Sequence, residues 1–172
     1  MRGERRVGGW DVRLSAPEEY GFRCVLLLAR EGGDGSLTIP QIARREGMTL
    51  ANAGKILGLL KRGRLVESVR GRRGGYRLAR PAECISVADV LVAMSGEVYR
   101  AGFCGRGRRR RGRSCVHADD CSIRSLWAVI DRLLRRVLEQ TSVKDLIRSE
   151  PYMATWLGER FGDAVPGAAQ SV

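Results

Sequence analysis

Apolar side chains recur at helical spacing in several segments of this sequence, and the longest stripe lies towards its C-terminal end. In SIRSLWAVIDRLLRRVLEQTS, apolar positions follow the i, i+3, i+4, i+7 pattern of an amphipathic helix over about five turns. These positions are Ile123, Leu126, Trp127, Ile130, Leu133, Leu134, Val137 and Leu138. A stripe of this length needs a covering surface, and we expect a second copy of the chain to provide it.

Three shorter helices are predicted in the first third of the chain. SAPEEYGFRCVLLLAREGG begins with an S-x-x-E capping box formed by Ser15 and Glu18. TIPQIARREGM repeats this signal for a second helix that ends at Gly47, and a third helix begins at Thr49. A short helix, a tight turn and a longer basic helix have the spacing of a helix-turn-helix motif. We expect the buried face of the third helix to contain Leu50, Ile56, Leu57 and Leu60.

Two β-prone runs follow the helix-turn-helix motif. Leu65 to Val69 and Tyr76 to Ala79 flank the arginine-rich tip RGRRGG, which predicts a hairpin that Pro81 closes. A hairpin in this place is the wing of a winged helix. SVADVLVAMSGE predicts a fourth helix, and TSVKDLIRSEPYM predicts a last short one.

The predicted fold is mainly α: a winged helix-turn-helix DNA-binding domain with a two-stranded wing, plus a long dimerisation helix. The segments, in order, are an N-terminal extension at 1–12, the winged domain at 13–82, a connecting helix and three-cysteine loop at 83–121, the dimerisation helix with a short C-terminal helix at 122–150, and a tail at 151–172.

The composition of the chain predicts a polyanionic binding partner. The 172 residues carry a formal net charge of +12, and a surface this basic favours DNA or RNA. The apolar runs are too short to span a bilayer or to form a secretion signal, so we expect a cytoplasmic protein without a membrane partner. A single histidine and the lack of a GxxxxGKS or GxxxxGKT phosphate loop argue against an enzyme.

Candidate DNA contacts lie at the leading end of the third helix and at the wing tip. The second helix of a helix-turn-helix enters the major groove, where asparagine can pair with adenine and lysine can reach guanine or phosphate. Arginines of a wing tip can contact phosphates or a minor groove. A winged helix used only for protein contacts is the alternative. The predicted DNA-binding residues are Thr49, Asn52, Lys55, Arg70, Arg72 and Arg73.

The cysteines fall into two groups. Cys24 lies in the apolar run of the first helix and Cys84 just before the fourth, so we expect both to be core or near-core thiols. The other three share one Gly- and Arg-rich loop with the spacing C-x10-C-x5-C, and they are Cys104, Cys115 and Cys121. Three such thiols can hold an iron–sulfur cluster that takes a fourth ligand elsewhere. With His117 they can bind zinc, and metal-free thiols are the third interpretation.

The sequence resembles the winged-helix regulators of the Rrf2 type from about Arg13 to Glu150. RLSAPEEYGFR resembles the family's opening, and MTLANAGKILGLLKRGRLVESVRGRRGGYRL resembles its recognition helix and wing. ISVADVL, the three-cysteine loop and SLW follow in the family's order. The resemblance implies a homodimeric transcriptional repressor whose long helices cross. It also implies that an iron–sulfur cluster switches DNA binding in response to nitric oxide, redox state or cluster supply.

The resemblance further implies a 2Fe–2S or 4Fe–4S cluster held by three loop cysteines, which are Cys104, Cys115 and Cys121, plus one more ligand. IscR-like members use a histidine at a place that Arg124 occupies here. NsrR-like members use an acidic residue near the start of helix one of the other subunit, and the matching residue is Glu19.

Two features depart from the family pattern. The first cysteine gap is longer than usual, and its surplus is nearly all arginine. Family members begin near Met-Arg-Leu, which corresponds to Val12-Arg13-Leu14, so we expect residues 1–11 to precede the natural start. Two other functions stay open: a cluster-free thiol or zinc regulator, and a non-specific nucleic-acid-binding protein that uses RGRRRRGR as a clamp.

Overall fold

The computed structural model describes residues 14–31, 35–71, 74–96 and 121–161. These residues form the mainly α fold with a two-stranded antiparallel wing that the sequence predicts. The elements are α1 (Ala16–Glu31), α2 (Ile39–Glu46), α3 (Leu50–Arg62), β1 (Val66–Val69), β2 (Gly75–Leu78), a 3-10 turn (Ala82–Cys84), α4 (Val87–Ser95), α5 (Ser122–Gln140), α6 (Val143–Leu146) and α7 (Glu150–Phe161).

Local signals define the helix-turn-helix formed by α2 and α3. Thr38 caps α2 in a reciprocal capping box with Gln41, as the sequence predicts. Gly47 ends the helix with φ +64°, a left-handed conformation that glycine adopts without steric cost. Thr49 then caps α3 two residues later. The short turn therefore fixes the angle at which α3 leaves α2.

The wing is anchored to the rest of the domain through Leu37. Strand β1 pairs with β2 from Val66 opposite Leu78 to Val69 opposite Gly75, within one residue of the predicted strands. The Leu37 N–H donates to the Tyr76 carbonyl at 2.9 Å, and the Tyr76 N–H returns a bond at 2.8 Å. A Cβ atom at Gly75 would lie 2.5 Å from the Leu37 carbonyl oxygen, so this close approach requires glycine.

One apolar core joins α1 to α4 and the base of the wing. Its fully buried side chains include Val25, Ile42, Ile56, Leu57, Leu60, Leu65, Val66, Ile85 and Val90. The prediction that Leu50 belongs to this core is wrong, because its side chain is 58% exposed. Ala53, which is fully buried, takes the inward place in the first turn of α3, and Leu50 lies beyond the edge of the core.

After α5 the chain returns to the winged domain. The Val143 N–H donates to the Ile85 carbonyl at 2.8 Å, and the Val87 N–H donates to the Thr141 carbonyl at 2.8 Å. Val143 is fully buried in the main core. The C-terminal end of α5 is therefore fixed to the N-terminal end of α4.

The last predicted short helix is divided into α6 and α7. Ser142 and Asp145 cap α6 in a capping box, and α7 continues to Phe161. Part of the segment interpreted as a tail at 151–172 is therefore helical. Proline in the first turn of a helix is tolerated, so Pro151 does not prevent α7. Within the described ranges, no helix has the length and apolar character that a membrane crossing needs.

Candidate nucleic-acid interface and cluster ligands

The leading end of α3 carries the predicted DNA contacts on its outward side. The Thr49 hydroxyl oxygen accepts a hydrogen bond from the Asn52 N–H at 3.2 Å, which caps the helix and leaves the hydroxyl proton for another acceptor. Thr49 and Lys55 are exposed and Asn52 is half-buried. Because the core takes the opposite side of α3, these three side chains lie at one surface.

Sequence reasoning missed one residue of this surface, Leu50. Its exposed side chain stands immediately after the helix cap, beside the predicted contacts. One turn further along, a Cβ atom added to Gly54 would have nothing within 4 Å. Leu50 lies three residues before Ala53 and seven before Leu57, which is the spacing of the buried stripe, so the pattern itself gives no signal that Leu50 is exposed.

The wing lies next to α3 and is tied to it. The Lys61 ammonium donates to the Ser68 hydroxyl of β1 at 2.7 Å. At the tip, Arg70 is exposed and the Gly74 N–H donates to the Gly71 carbonyl at 2.8 Å. The predicted contacts Arg72 and Arg73 lie outside the described residues. The wing and the leading helix therefore form one connected surface.

This surface is strongly positive. Between residues 47 and 74 the sequence contains a single carboxylate, Glu67, and an ion pair with Arg77 at 2.7 Å engages it. Lys55, Arg62, Arg64 and Arg70 are exposed in the same segment. A positive surface around a projecting helix suits the phosphate backbone of DNA.

Cys24 and Cys84 differ sharply in their surroundings. Cys24 is fully buried, as predicted, and burial raises the pKa of its thiol to about 12. The prediction that Cys84 is a core or near-core thiol is wrong, because Cys84 is exposed. It ends the 3-10 turn, and the next residue, Ile85, takes the inward place.

Of the predicted cluster ligands, the structure describes Cys121 and Glu19. Cys121 is half-buried at the N-cap of α5, where its side chain makes no capping hydrogen bond. Cys104, Cys115 and His117 lie outside the described residues. Among the residues that the structure does describe, no three or more His, Cys, Asp or Glu side chains form a group suited to a metal ion.

The two glutamates at the start of α1 have different environments. Glu18 accepts hydrogen bonds from the Ser15 hydroxyl at 2.7 Å and the Ser15 N–H at 2.8 Å, and these bonds lower the pKa of its carboxyl group. The Glu19 side chain is 62% exposed, and its nearest ion-pair contact is Arg23 at 3.7 Å. Glu19 is therefore the accessible carboxylate of the pair, and Glu18 is committed to the helix cap.

The apolar stripe of α5 divides into two parts. Trp127, Ile130, Val137 and Leu138 are half-buried, and α5 packs against α4. Leu126, Val129 and Leu133 follow helical spacing on an adjoining face, and each is at least half exposed. No residue of α5 is buried. Within the described chain, the second part of the stripe is therefore uncovered.

A helix-turn-helix with a wing hydrogen-bonded to it and a positive surface around the leading end of α3 are the features of a winged-helix DNA-binding protein. Residues 14–149 match the Rrf2 family, whose description is "Iron-dependent Transcriptional regulator". The chain belongs to this family of transcriptional regulators, which are DNA-binding proteins and not enzymes.

Named relatives agree with this assignment. The HTH-type transcriptional regulator IscR of Cereibacter sphaeroides is 34% identical over 141 residues, covering 81% of this chain and 89% of that protein. The solved structure of CymR from B. subtilis, titled the global cysteine regulator, has a TM-score of 0.63 at 23% identity, covering 80% of this chain and 97% of that one. T. potens IscR has a TM-score of 0.61 at 24% identity, covering 79% and 86%. These two structures confirm the fold.

Proposed function

We propose that this protein is a homodimeric repressor whose binding to operator DNA is switched by an iron–sulfur cluster at the dimer interface. The observation that carries the proposal is the position of Cys121, which begins the helix that bears the uncovered apolar stripe. A ligand bound through Cys121 acts directly on the helix that pairs the two chains.

The dimer forms through α5. Leu126, Val129 and Leu133 present a continuous apolar face to solvent, and a face of this kind in a soluble protein marks an association site. A second copy supplies an identical face, so a two-fold arrangement covers both at once. The dimer holds two copies of α3 at a fixed separation, which matches two half-sites on one side of the duplex.

The DNA contacts are those at the leading end of α3 and the wing tip. Asn52 pairs with adenine, Lys55 reaches guanine or phosphate, and Thr49 donates its hydroxyl proton to a phosphate. Arg70, Arg72 and Arg73 contact the backbone or enter a minor groove. This arrangement makes operator binding dependent on sequence and strongly dependent on salt.

Four side chains hold the cluster: Cys104, Cys115, Cys121 and Glu19 of the partner subunit. The two donors described above fit this group. Cys121 has no competing cap bond and stands at the positive end of the α5 dipole, which favours an anionic ligand. The Glu19 carboxylate is accessible, whereas the Ser15 cap occupies Glu18. When bound, the cluster supplies a centre that reacts with nitric oxide and oxidants. Its loss releases the link between the two chains.

The cluster is tested on anaerobically purified protein. We expect visible absorption together with iron and acid-labile sulfide, and we expect Cys121→Ala to abolish all three. Cys84→Ala is the matched control, because Cys84 is exposed but lies outside the loop, and it should retain the cluster. Zinc without sulfide, or an unchanged spectrum in Cys121→Ala, would contradict the proposal and favour the zinc or thiol regulator.

Operator binding is tested by selecting duplexes from a random pool and then competing with unselected DNA. A repressor of the proposed kind enriches one two-fold symmetric sequence, and Lys55→Ala weakens its binding. If selection enriches no sequence and all duplexes bind with equal affinity, the protein is instead a non-specific nucleic-acid-binding protein.

A further inference from the structure

Leu50 is an apolar side chain that the core of the winged domain does not use. It is the first residue of α3, and 58% of it is exposed although fully buried residues occupy the inward side of the same helix. The adjacent helix cap, Thr49, and the next polar residue of the first turn, Asn52, are both polar. A large apolar side chain there costs solvation free energy for the unbound protein and gains from any apolar surface that covers it.

The local backbone holds Leu50 in place. The Thr49 cap holds the first turn of α3, which carries Leu50, through its hydrogen bond from the Asn52 N–H at 3.2 Å. Gly54 lies one turn along on the same side, and nothing lies within 4 Å of the place where its Cβ would stand. The helix surface behind Leu50 is therefore bare, and a ligand can approach closely.

The chemistry of the groove limits what can cover Leu50. Phosphates, sugars and most base edges offer polar groups, whereas the C5-methyl of thymine is the apolar group that the major groove displays. Asn52, two residues away, is suited to adenine, the base that pairs with thymine. Residues two apart in a helix point to different sides, so Leu50 and Asn52 lie on opposite flanks of the first turn of α3, the end that leads into the groove.

We infer that Leu50 is a specificity-determining residue that contacts the C5-methyl of a thymine in each operator half-site. The inference rests on the proposed function, because it assigns one more contact within the same α3 surface. It predicts that the operator contains at least one thymine whose methyl group, and not only its hydrogen-bonding edge, sets affinity.

The test uses the full chain and the duplex enriched by selection. Each thymine is replaced by deoxyuridine in turn, which removes the methyl and keeps base pairing. We expect wild-type protein to lose about fourfold in affinity per half-site at one symmetric position, the effect of one buried methyl group. Leu50→Ala should bind the thymine and deoxyuridine duplexes equally. Its thermal midpoint should be unchanged, because Leu50 is exposed and alanine favours helix.

Lys55→Ala is the matched control. It should weaken binding to both duplexes and keep the fourfold sensitivity to the methyl group, because it removes a different contact. If Leu50→Ala keeps the full deoxyuridine effect, or if no thymine of the selected duplex is sensitive, the inference is wrong while operator binding stands. If selection enriches no sequence, the proposed operator binding fails and the inference fails with it.

Discussion

The winged domain and helix α5 differ in how much of their apolar surface the described chain buries. In the winged domain, side chains from α1, α3, α4 and the wing are fully buried in one core. In α5, which is the longest helix among the described elements, no residue is buried and the Leu126–Leu133 face is open. The described residues of the winged domain bury their own core, whereas the described residues leave this face of α5 uncovered.

We therefore expect the winged domain to determine the stability of the fold and the exposed face of α5 to determine assembly. The free energy of folding comes mainly from burial in the winged domain. On the proposed function, the exposed apolar residues of α5 are buried when two chains meet, so they act on assembly. Substitutions in the two regions should therefore change different measurements.

The largest effect is expected from a charge placed in the open face of α5. Leu133→Asp puts an unpaired carboxylate where two apolar faces meet, so the protein should become monomeric in light scattering after gel filtration. Affinity for a two-half-site duplex should fall on the order of 100-fold, because the second half-site loses its tethered partner. Ala128→Asp, on the other side of the helix, should leave both unchanged. A dimeric Leu133→Asp would refute the assigned interface.

A cavity in the winged domain should give the next largest effect. Leu57 is fully buried, so Leu57→Ala should lower the free energy of unfolding by about 3 kcal/mol in denaturant titrations. Leu126→Ala in the monomeric Leu133→Asp background is the control, and it should change the value by less than about 0.5 kcal/mol. Equal decreases in the free energy of unfolding at Leu57 and Leu126 would contradict the idea that the winged domain, and not α5, stabilises the fold.

Alanine substitutions at two glycines of the α3 segment should change the free energy of unfolding in opposite directions. A Cβ at Gly54 meets nothing within 4 Å, so Gly54→Ala should raise the free energy of unfolding by about 0.5–1 kcal/mol through helix propensity. A Cβ at Gly63 would lie 2.5 Å from that of Ala93, so Gly63→Ala should lower it. Thermal unfolding of both variants provides the comparison, and a stabilised Gly63→Ala would contradict the packing of α3 on α4.

The smallest effect should come from the cap of α1 and should depend on pH. The pKa of Glu18 is lowered from 4.5 in the folded chain, so its contribution to stability is present above pH 4.5 and is lost as pH falls through the folded pKa. Glu18→Gln should cost about 0.5 kcal/mol at pH 7. The cost should diminish as the pH falls below 4.5, as measured by denaturant unfolding. A cost that persists in acid would show that charge is not its origin.

Local rules were sufficient to predict the winged domain. The pairing of Thr38 with Gln41 and the glycine at 47 act within one turn, so the sequence carries their outcome directly. The burial of Leu50 and Cys84 was predicted wrongly because it depends on where the core ends. The identities of the neighbouring residues do not specify that boundary. Helix α7 was missed because Pro151 resembles a helix stop signal.

The proposed cluster site could be predicted from the sequence only in part. The spacing of the three cysteines identifies a donor set, but the fourth donor in the proposal comes from another chain, and no pattern within one chain specifies that geometry. Resemblance supplied Glu19, and the structure adds the physical contrast with Glu18, whose carboxylate is already hydrogen-bonded.

The backbone hydrogen bonds that join residues 141–143 to residues 85–87 act as a clamp on the C-terminal end of α5, a rod that also packs against α4. With 19 residues, the rod is about 28 Å long, and Cys121 sits at the end remote from the clamp. A tilt of about 5° around the clamp moves the remote end of α5 by about 2.5 Å, which is more than the length of a covalent bond. On the proposed function, a small displacement of Cys121 would be transmitted along α5 to the base of α4 and would change the orientation of the winged domain.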